Sequence, residues 1–350
     1  MPVTALGMPS APISTAQRPD SPALIDSYGR VATDLRVSVT DHCNLRCTYC
    51  MPAEGVEWLP REDLLSTAEL QRLLHIAVTH LGIAEIRFTG GEPLLRRDLP
   101  ELISFAASLR PRPDLSITTN GLGLKHKAKV LAEAGLNRIN VSLDSVDRAA
   151  YATITRRDRL HDVLDGLSAA VAVGLTPVKV NAVLQRGINE HQAADLLDFC
   201  LASGYELRFI EQMPLDADHR WDRASMITAG EILDRLQQRF VLTPDTKPRG
   251  AAPAQRWLVD GGPASVGVIA SVTKPFCGDC DRVRLTADGQ LRNCLFATGE
   301  TDLRGLLRAG GDDLAIGQQW RSAIWAKKAG HGINAAGFQQ PARPMSAIGG

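Results

Sequence analysis

The chain has 350 residues, 44% of them hydrophobic, enough for one large α/β unit with an extension or for two domains. Lys plus Arg equal Asp plus Glu at 39 each, which argues against a broad basic surface for nucleic acid or anionic membrane; any bound anion must meet a local cation cluster. No apolar run reaches the length of a membrane span, so neither nucleic acid nor membrane is an expected partner. Residues 1–22, rich in Pro, Ser, Thr and Ala, lack the apolar core of a secretory signal and are expected to form a disordered leader on a cytoplasmic protein. In that compartment structural disulfides are not expected. Seven cysteines, six of them in two tight groups, therefore point to metal.

The first predicted strand is 35–39, and others follow at 85–88, 115–118, 138–141, 178–181 and 206–210. Four of them come a few residues after an amphipathic helix closed by glycine: Gly82, Gly135, Gly174 and Gly204. The helix before Gly82 has its apolar face on Leu70, Leu73, Ala77 and Leu81. Six successive βα units make a parallel sheet with right-handed crossovers, too few strands to close an eight-fold barrel. The expected fold is an α/β open, partial TIM-like (βα)6 barrel over residues 23–218. A smaller C-terminal region, 219–340, covers its mouth, and a tail follows at 341–350. Chemistry in such sheets sits beyond the strand C-terminal ends.

Immediately after the first strand stands Cys43-x3-Cys47-x2-Cys50. Three thiolates on one short loop can hold three irons of a [4Fe–4S] cube and leave the fourth open to a ligand. The competing reading is a zinc knuckle completed by His42 or a distant residue. The second strand ends in Gly90-Gly91-Glu92-Pro93, where paired glycines allow a ligand to approach the backbone closely. Further on, Cys277-x2-Cys280-x13-Cys294 is again a group of three without an obvious fourth ligand. Zinc closed by Asp279 or Asp281 is the alternative there. The strands also carry Arg36, Arg87, Lys179 and Arg208, which need anionic partners or a wet cavity. No Walker-type or G-x-G-x-x-G loop is present, so a nucleotide triphosphate would have to be held by scattered cations, with Arg282-Val283-Arg284 adding two. Cys200, alone near a helix end, reads as a small buried hydrophobe.

The first cysteine group, with Tyr49 before its last Cys, and the Gly90–Pro93 turn resemble the radical S-adenosylmethionine (SAM) superfamily. That resemblance implies that SAM chelates the free iron and is contacted by Tyr49, Gly91, Glu92, Ser142 and Met213; from the residues alone Met213 reads as packing. The segments 39–43, 209–214 and 348–350 extend the likeness to the GTP 3′,8-cyclases of molybdenum-cofactor biosynthesis, from about Leu24 to Gly350. Gln212, where many members have Tyr, is a departure. The likeness implies two [4Fe–4S] clusters, on Cys43, Cys47 and Cys50 and on Cys277, Cys280 and Cys294. It also implies GTP contacts from Arg36, Arg87, Thr118, Lys179, Arg282, Val283 and Arg284, and a role for Gly349 and Gly350 in positioning GTP. The implied reaction takes hydrogen from C3′ of GTP and joins C3′ to C8; one electron and one proton then complete 3′,8-cyclo-7,8-dihydro-GTP. An unidentified electron donor and a downstream cyclic pyranopterin monophosphate synthase are the implied partners, and a homodimer is allowed. A peptide-modifying radical SAM maturase or a non-catalytic iron–sulfur protein are the alternative readings.

Overall fold

A computed structural model describes residues 18–349 together with 8, 9 and 12; most of the leader and Gly350 lie outside the described residues. The six expected strands are present as β1 (Asp34–Ser38), β2 (Glu85–Thr89), β3 (Asp114–Thr119), β4 (Arg138–Ser142), β5 (Val178–Val183) and β6 (Glu206–Ile210). They lie side by side in chain order, all parallel. Each strand alternates. Leu35, Val37, Ile86 and Phe88 point outward into a core shared with the surrounding helices, while Arg36, Arg87, Thr118 and Asn181 point inward to the lumen. The helix Thr67–Thr79 starts on a capping box of Ser66 with Glu69 and buries Leu70, Leu73 and Ala77. Helix Ala193–Ser203 ends on Gly204 in the left-handed region, φ 71°, which turns the chain into β6. Cys200, on the same helix, is wholly buried in the core.

The C-terminal residues do more than cover the mouth. β7 (Leu242–Pro244), β8 (Gln255–Val259) and β9 (Ser265–Ile269) extend the sheet beyond β6, with β9 parallel to it. β10 (Arg282–Leu285), β11 (Gln290–Arg292) and β12 (Thr301–Asp302) extend it beyond β1, with β10 parallel to that strand. Eight parallel strands thus run β10-β1-β2-β3-β4-β5-β6-β9 in a twelve-stranded open sheet. The link from β9 to β10 connects the two flanks and carries Phe276, Cys277 and Cys280. A second, smaller core of Leu215, Met226, Val272, Phe296, Ile333 and Ile348 packs the C-terminal tail.

Glu211, just past β6, ties these pieces together. Its fully buried carboxylate accepts from the backbone N–H groups of Ala229, Val272 and Thr273 and from the Thr273 hydroxyl, at 2.5–2.9 Å.

Candidate active site

One cavity runs through the lumen, about 1570 Å³ including its open mouth. Its lining divides into two ends and a cationic wall.

At one end lies the loop after β1, of which Tyr49 and Cys50 reach the cavity. The loop is fastened by backbone bonds from Arg46 to Thr155 and from Thr48 to Ile154. Burial raises the thiols of Cys43, Cys47 and Cys50, the last to about 12, so these sulfurs would lose their protons only to a metal or a strong positive charge. The Asn120 amide approaches Cys43 Sγ at 3.9 Å. Tyr49 donates its hydroxyl to Asp144 at 2.8 Å, and Asp144 also accepts from the Val183 N–H. Burial lifts the Asp144 carboxyl to about 6. Ser142, Asn181 and Met213 complete this end, and Asn181 Oδ1 is buried without a hydrogen-bond partner.

The Gly90–Pro93 turn packs tightly against the residues that lead into the cysteine loop. A Cβ on Gly90 would lie 2.3 Å from Thr40 O, and one on Gly91 would lie 2.2 Å from Asp41 O and 2.4 Å from His42 O. Gly91 N–H and Glu92 N–H donate to Thr40 O and His42 O. The space a side chain would fill is therefore taken by the cysteine loop itself. Neither Gly91 nor the Glu92 side chain lines the cavity; Glu92 is buried and accepts from Thr119, Asn120 and Leu94, and burial raises its carboxyl to about 7. The turn holds the cysteine loop in place.

At the other end Cys277, Cys280 and Cys294 face the cavity beside Phe276, Leu295 and Phe296. Burial pushes the Cys280 thiol up, but the charges of Arg282 and Lys327 and the bonds from Arg282 outweigh it and bring it to about 6. No fourth protein ligand completes this trio among the described residues. Asp279 is exposed and pairs with Arg249, Asp281 accepts from Thr33, and both ring nitrogens of His331 are engaged, with Ser271 O and Ile333 N–H. A tetrahedral zinc holds sulfurs at about 2.3 Å and hence about 3.8 Å apart. Among the described residues neither trio gathers its sulfurs within 4.8 Å of one another, as a single ion would require. Both donor sets suit a larger cluster better than zinc.

The wall between the ends is cationic by register. Arg284 of β10, Arg36 of β1 and Arg87 of β2 are direct lateral partners, all turned to the lumen. Like charges placed opposite one another on a sheet repel. Burial, with Arg36 adjoining, pulls Arg87 and Arg284 down to about 9 each, and burial brings Arg208 to about 10. Asp34 lies 3.5 Å from Arg36 and Glu206 lies 3.9 Å from Arg208; burial would raise the Asp34 carboxyl, but Arg36, Arg87, Arg282 and Arg284 together hold it below the usual range. The wall carries more positive charge than the chain neutralises. Thr118 and Arg282 also face the cavity. Two expected contacts do not. Val283, one residue out of phase with its arginine neighbours, points into the core, and Lys179 ends on Glu206 at 3.5 Å.

The tail reaches this wall from above. Arg343 holds Asp288 through both carboxylate oxygens, and the short helix Met345–Ile348 buries Ile348. Gly349 is buried, its carbonyl accepts from Arg284, and a Cβ there would meet Thr89 Cγ2 at 2.8 Å and Ser38 Cβ at 3.2 Å. Its φ of 77° also favours glycine. Gly350 lies outside the described residues.

An open parallel barrel with a C-x3-C-x2-C loop beyond its first strand defines a radical SAM enzyme, a class that works with SAM and [4Fe–4S] clusters. Residues 37–200 match the Radical SAM superfamily and residues 205–333 match Molybdenum Cofactor Synthesis C. The chain is 62% identical to the GTP 3′,8-cyclases of Mycobacterium sp. (strain KMS) and Mycobacterium marinum, over the full length of both chains in each pair. It belongs to the GTP 3′,8-cyclase family. The crystal structure of Streptococcus suis SuiB bound to S-adenosylmethionine overlays with a TM-score of 0.57, covering 90% of this chain and 75% of that one at 15% identity. At that identity the overlay shows the shared fold alone.

Asp144 and Asn181 carry no assignment from the sequence alone, yet both line the cavity. The two-residue strand period from Lys179 leads to Asn181, since 179, 181 and 183 share a face. Asp34 and Lys327 carried no local signal.

Proposed function

We propose that the chain converts GTP to 3′,8-cyclo-7,8-dihydro-GTP as the first step towards molybdenum cofactor. The observation that carries this reading is the Arg284–Arg36–Arg87 row, a buried positive wall without enough internal anions to balance it. A triphosphate supplies the missing charge. Cys43, Cys47 and Cys50 would hold one cluster and Cys277, Cys280 and Cys294 the other; the first, with SAM bound, would supply the radical that takes hydrogen from the substrate.

The protein's own part is to hold, orient and keep dry. Tyr49, fixed by Asp144, and Ser142, Asn181 and Met213 would line the SAM end. Arg36, Arg87 and Arg284 would bind the phosphates, with Arg208 and Thr118 beside them. That anchoring directs the nucleoside towards Phe276, Phe296 and the second cysteine trio. Fixing the ribose between the two ends makes the hydrogen transfer effectively intramolecular, and the apolar rings there exclude water from the reactive carbon. The electron donor is a separate one-electron carrier, the product passes to a cyclic pyranopterin monophosphate synthase, and the reaction is cytoplasmic. Among the described residues no helix is long and apolar enough to cross a membrane.

Calorimetric titration of the anaerobic protein with GTP, and separately with SAM, tests the assignment. Each charge-assisted contact contributes roughly 1.5–3 kcal/mol, so Arg87→Ala is expected to weaken GTP binding by about 10- to 150-fold and leave SAM binding unchanged. Lys179→Ala, ending on Glu206, is expected to cost much less. Equal loss of both ligands in Arg87→Ala, or unaltered GTP binding, would remove the arginine row from the site.

A further inference from the structure

Behind the second cysteine trio stands a buried lysine that the proposed reaction leaves without a task. Lys327 follows the helix Asp313–Trp325 and is only 4% exposed. Its ammonium lies 3.4 Å from Cys280 Sγ, and it donates to the carbonyls of Cys280 at 3.1 Å and Arg282 at 2.9 Å. Among the described residues no carboxylate is paired with it; the carboxylate neighbours of this region, Asp279 and Asp281, are engaged with Arg249 and Thr33. A buried ammonium without an anion is costly, and carbonyl oxygens offer only partial charge. The full negative charge within reach is a thiolate at Cys280.

The segment that follows is fixed to the same trio. Arg30, held by Asp26, donates to the carbonyls of Cys277, Lys328 and Ala329 at 2.6–2.8 Å. Residues 327–329 are thus tied to both ends of the Cys277–Cys280 turn, to Cys280 through Lys327 and to Cys277 through Arg30. The ammonium cannot swing away without breaking both carbonyl bonds, so its distance to the sulfur is set by the fold.

We infer that Lys327 is a positioning residue for the C-terminal cluster, holding the Cys280 thiolate by a charge-assisted bond and raising the reduction potential of the cluster that this thiolate ligates. The inference rests on the assignment of Cys277, Cys280 and Cys294 as cluster ligands. The physical basis is general: a positive donor on a ligating sulfur stabilises the more negative, reduced state, and cluster potentials respond to net charge and to hydrogen bonds on sulfur. Arg282 adds a second cation near the same sulfur but reaches it from the cavity side, where substrate would compete for it. Lys327 acts from behind, whether or not substrate is bound.

The test is an anaerobic redox titration of the reconstituted full chain, each cluster followed by its electron paramagnetic resonance signal, with iron and sulfide assayed on the same samples. Lys327→Met removes the charge and keeps an unbranched chain; Lys327→Gln keeps a donor without charge; Lys327→Arg keeps the charge. Met and Gln are expected to retain the iron of both clusters and to lower the reduced-to-oxidised ratio of the C-terminal cluster at least tenfold at a fixed ambient potential. For a one-electron couple that is a drop of about 59 mV. The N-terminal cluster should not move, and Arg should restore most of the shift. An unchanged C-terminal potential in Lys327→Met overturns the inference. So does loss of that cluster from both Met and Gln variants, which would make Lys327 part of the site's construction. Cys294→Ala distinguishes failure of the underlying assignment: if it keeps the iron of both clusters, the trio is not the ligand set.

Discussion

Cys47→Ala is expected to abolish 5′-deoxyadenosine formation from SAM under reducing anaerobic conditions while leaving the barrel folded. Cys47 sits mid-loop beside the core, and its raised thiol has no other task among the described residues. The loop's backbone is held independently of the sulfur, by Arg46 and Thr48 on the 154–155 turn and by the bonds of Arg156 to the carbonyls of Arg46 and Met51. Removing the sulfur therefore removes a ligand and little else. Loss of an outer-shell partner costs a metal site roughly 10–100-fold; loss of a direct ligand should exceed that and bring SAM cleavage to background. Cleavage at the normal rate in Cys47→Ala, by chromatographic assay of 5′-deoxyadenosine, would show that this trio is not the SAM-cleaving centre.

Changing the tail should separate SAM cleavage from cyclisation. Gly349 lies where β1, β2 and β10 converge, its carbonyl on Arg284, with Ser38 and Thr89 leaving no room for a Cβ. Gly349→Val would collide with both side chains and would also have to adopt a φ of 77°, which a β-branched residue strongly disfavours. The tail would be displaced, and Arg284 would turn from its fixed partner. Because Arg343, Met345 and Ile348 anchor the preceding residues, the damage should stop at the last turn. The expected result is intact iron content and thermal stability, continued 5′-deoxyadenosine formation, and cyclised product reduced at least tenfold. Removing residues 349–350 should act in the same direction. Cyclisation at the normal rate in both variants would make the tail a loose end.

Much of this was written locally. Glycine after an amphipathic helix, then a β-rich run, is a short-range pattern, and four of the six strands follow from it. The cysteine spacings are likewise readable within eight and eighteen residues of chain. What escaped was long-range. Nothing near Arg36 says that Arg284 will be its lateral partner, because β10 joins the sheet 248 residues later in the register. The same pairing decides that Val283 turns away. Lys179 was legible as an inward cation, but that Glu206 would be its neighbour across β5 and β6 depends on register. The glycines at 90 and 91 were recognised as places of close approach, while the atoms that approach, Thr40–His42, come from another strand's loop.

The central claim, that this cavity brings the C3′ position of GTP to the SAM end, is most directly tested with GTP carrying deuterium at C3′. The reconstituted protein would be incubated anaerobically with that GTP, SAM and dithionite, and both products analysed by mass spectrometry. The account predicts one deuterium in 5′-deoxyadenosine and, in equal amount, a cyclised nucleotide that has lost it from C3′. 5′-Deoxyadenosine free of deuterium, or GTP recovered unchanged while SAM is consumed, would contradict it.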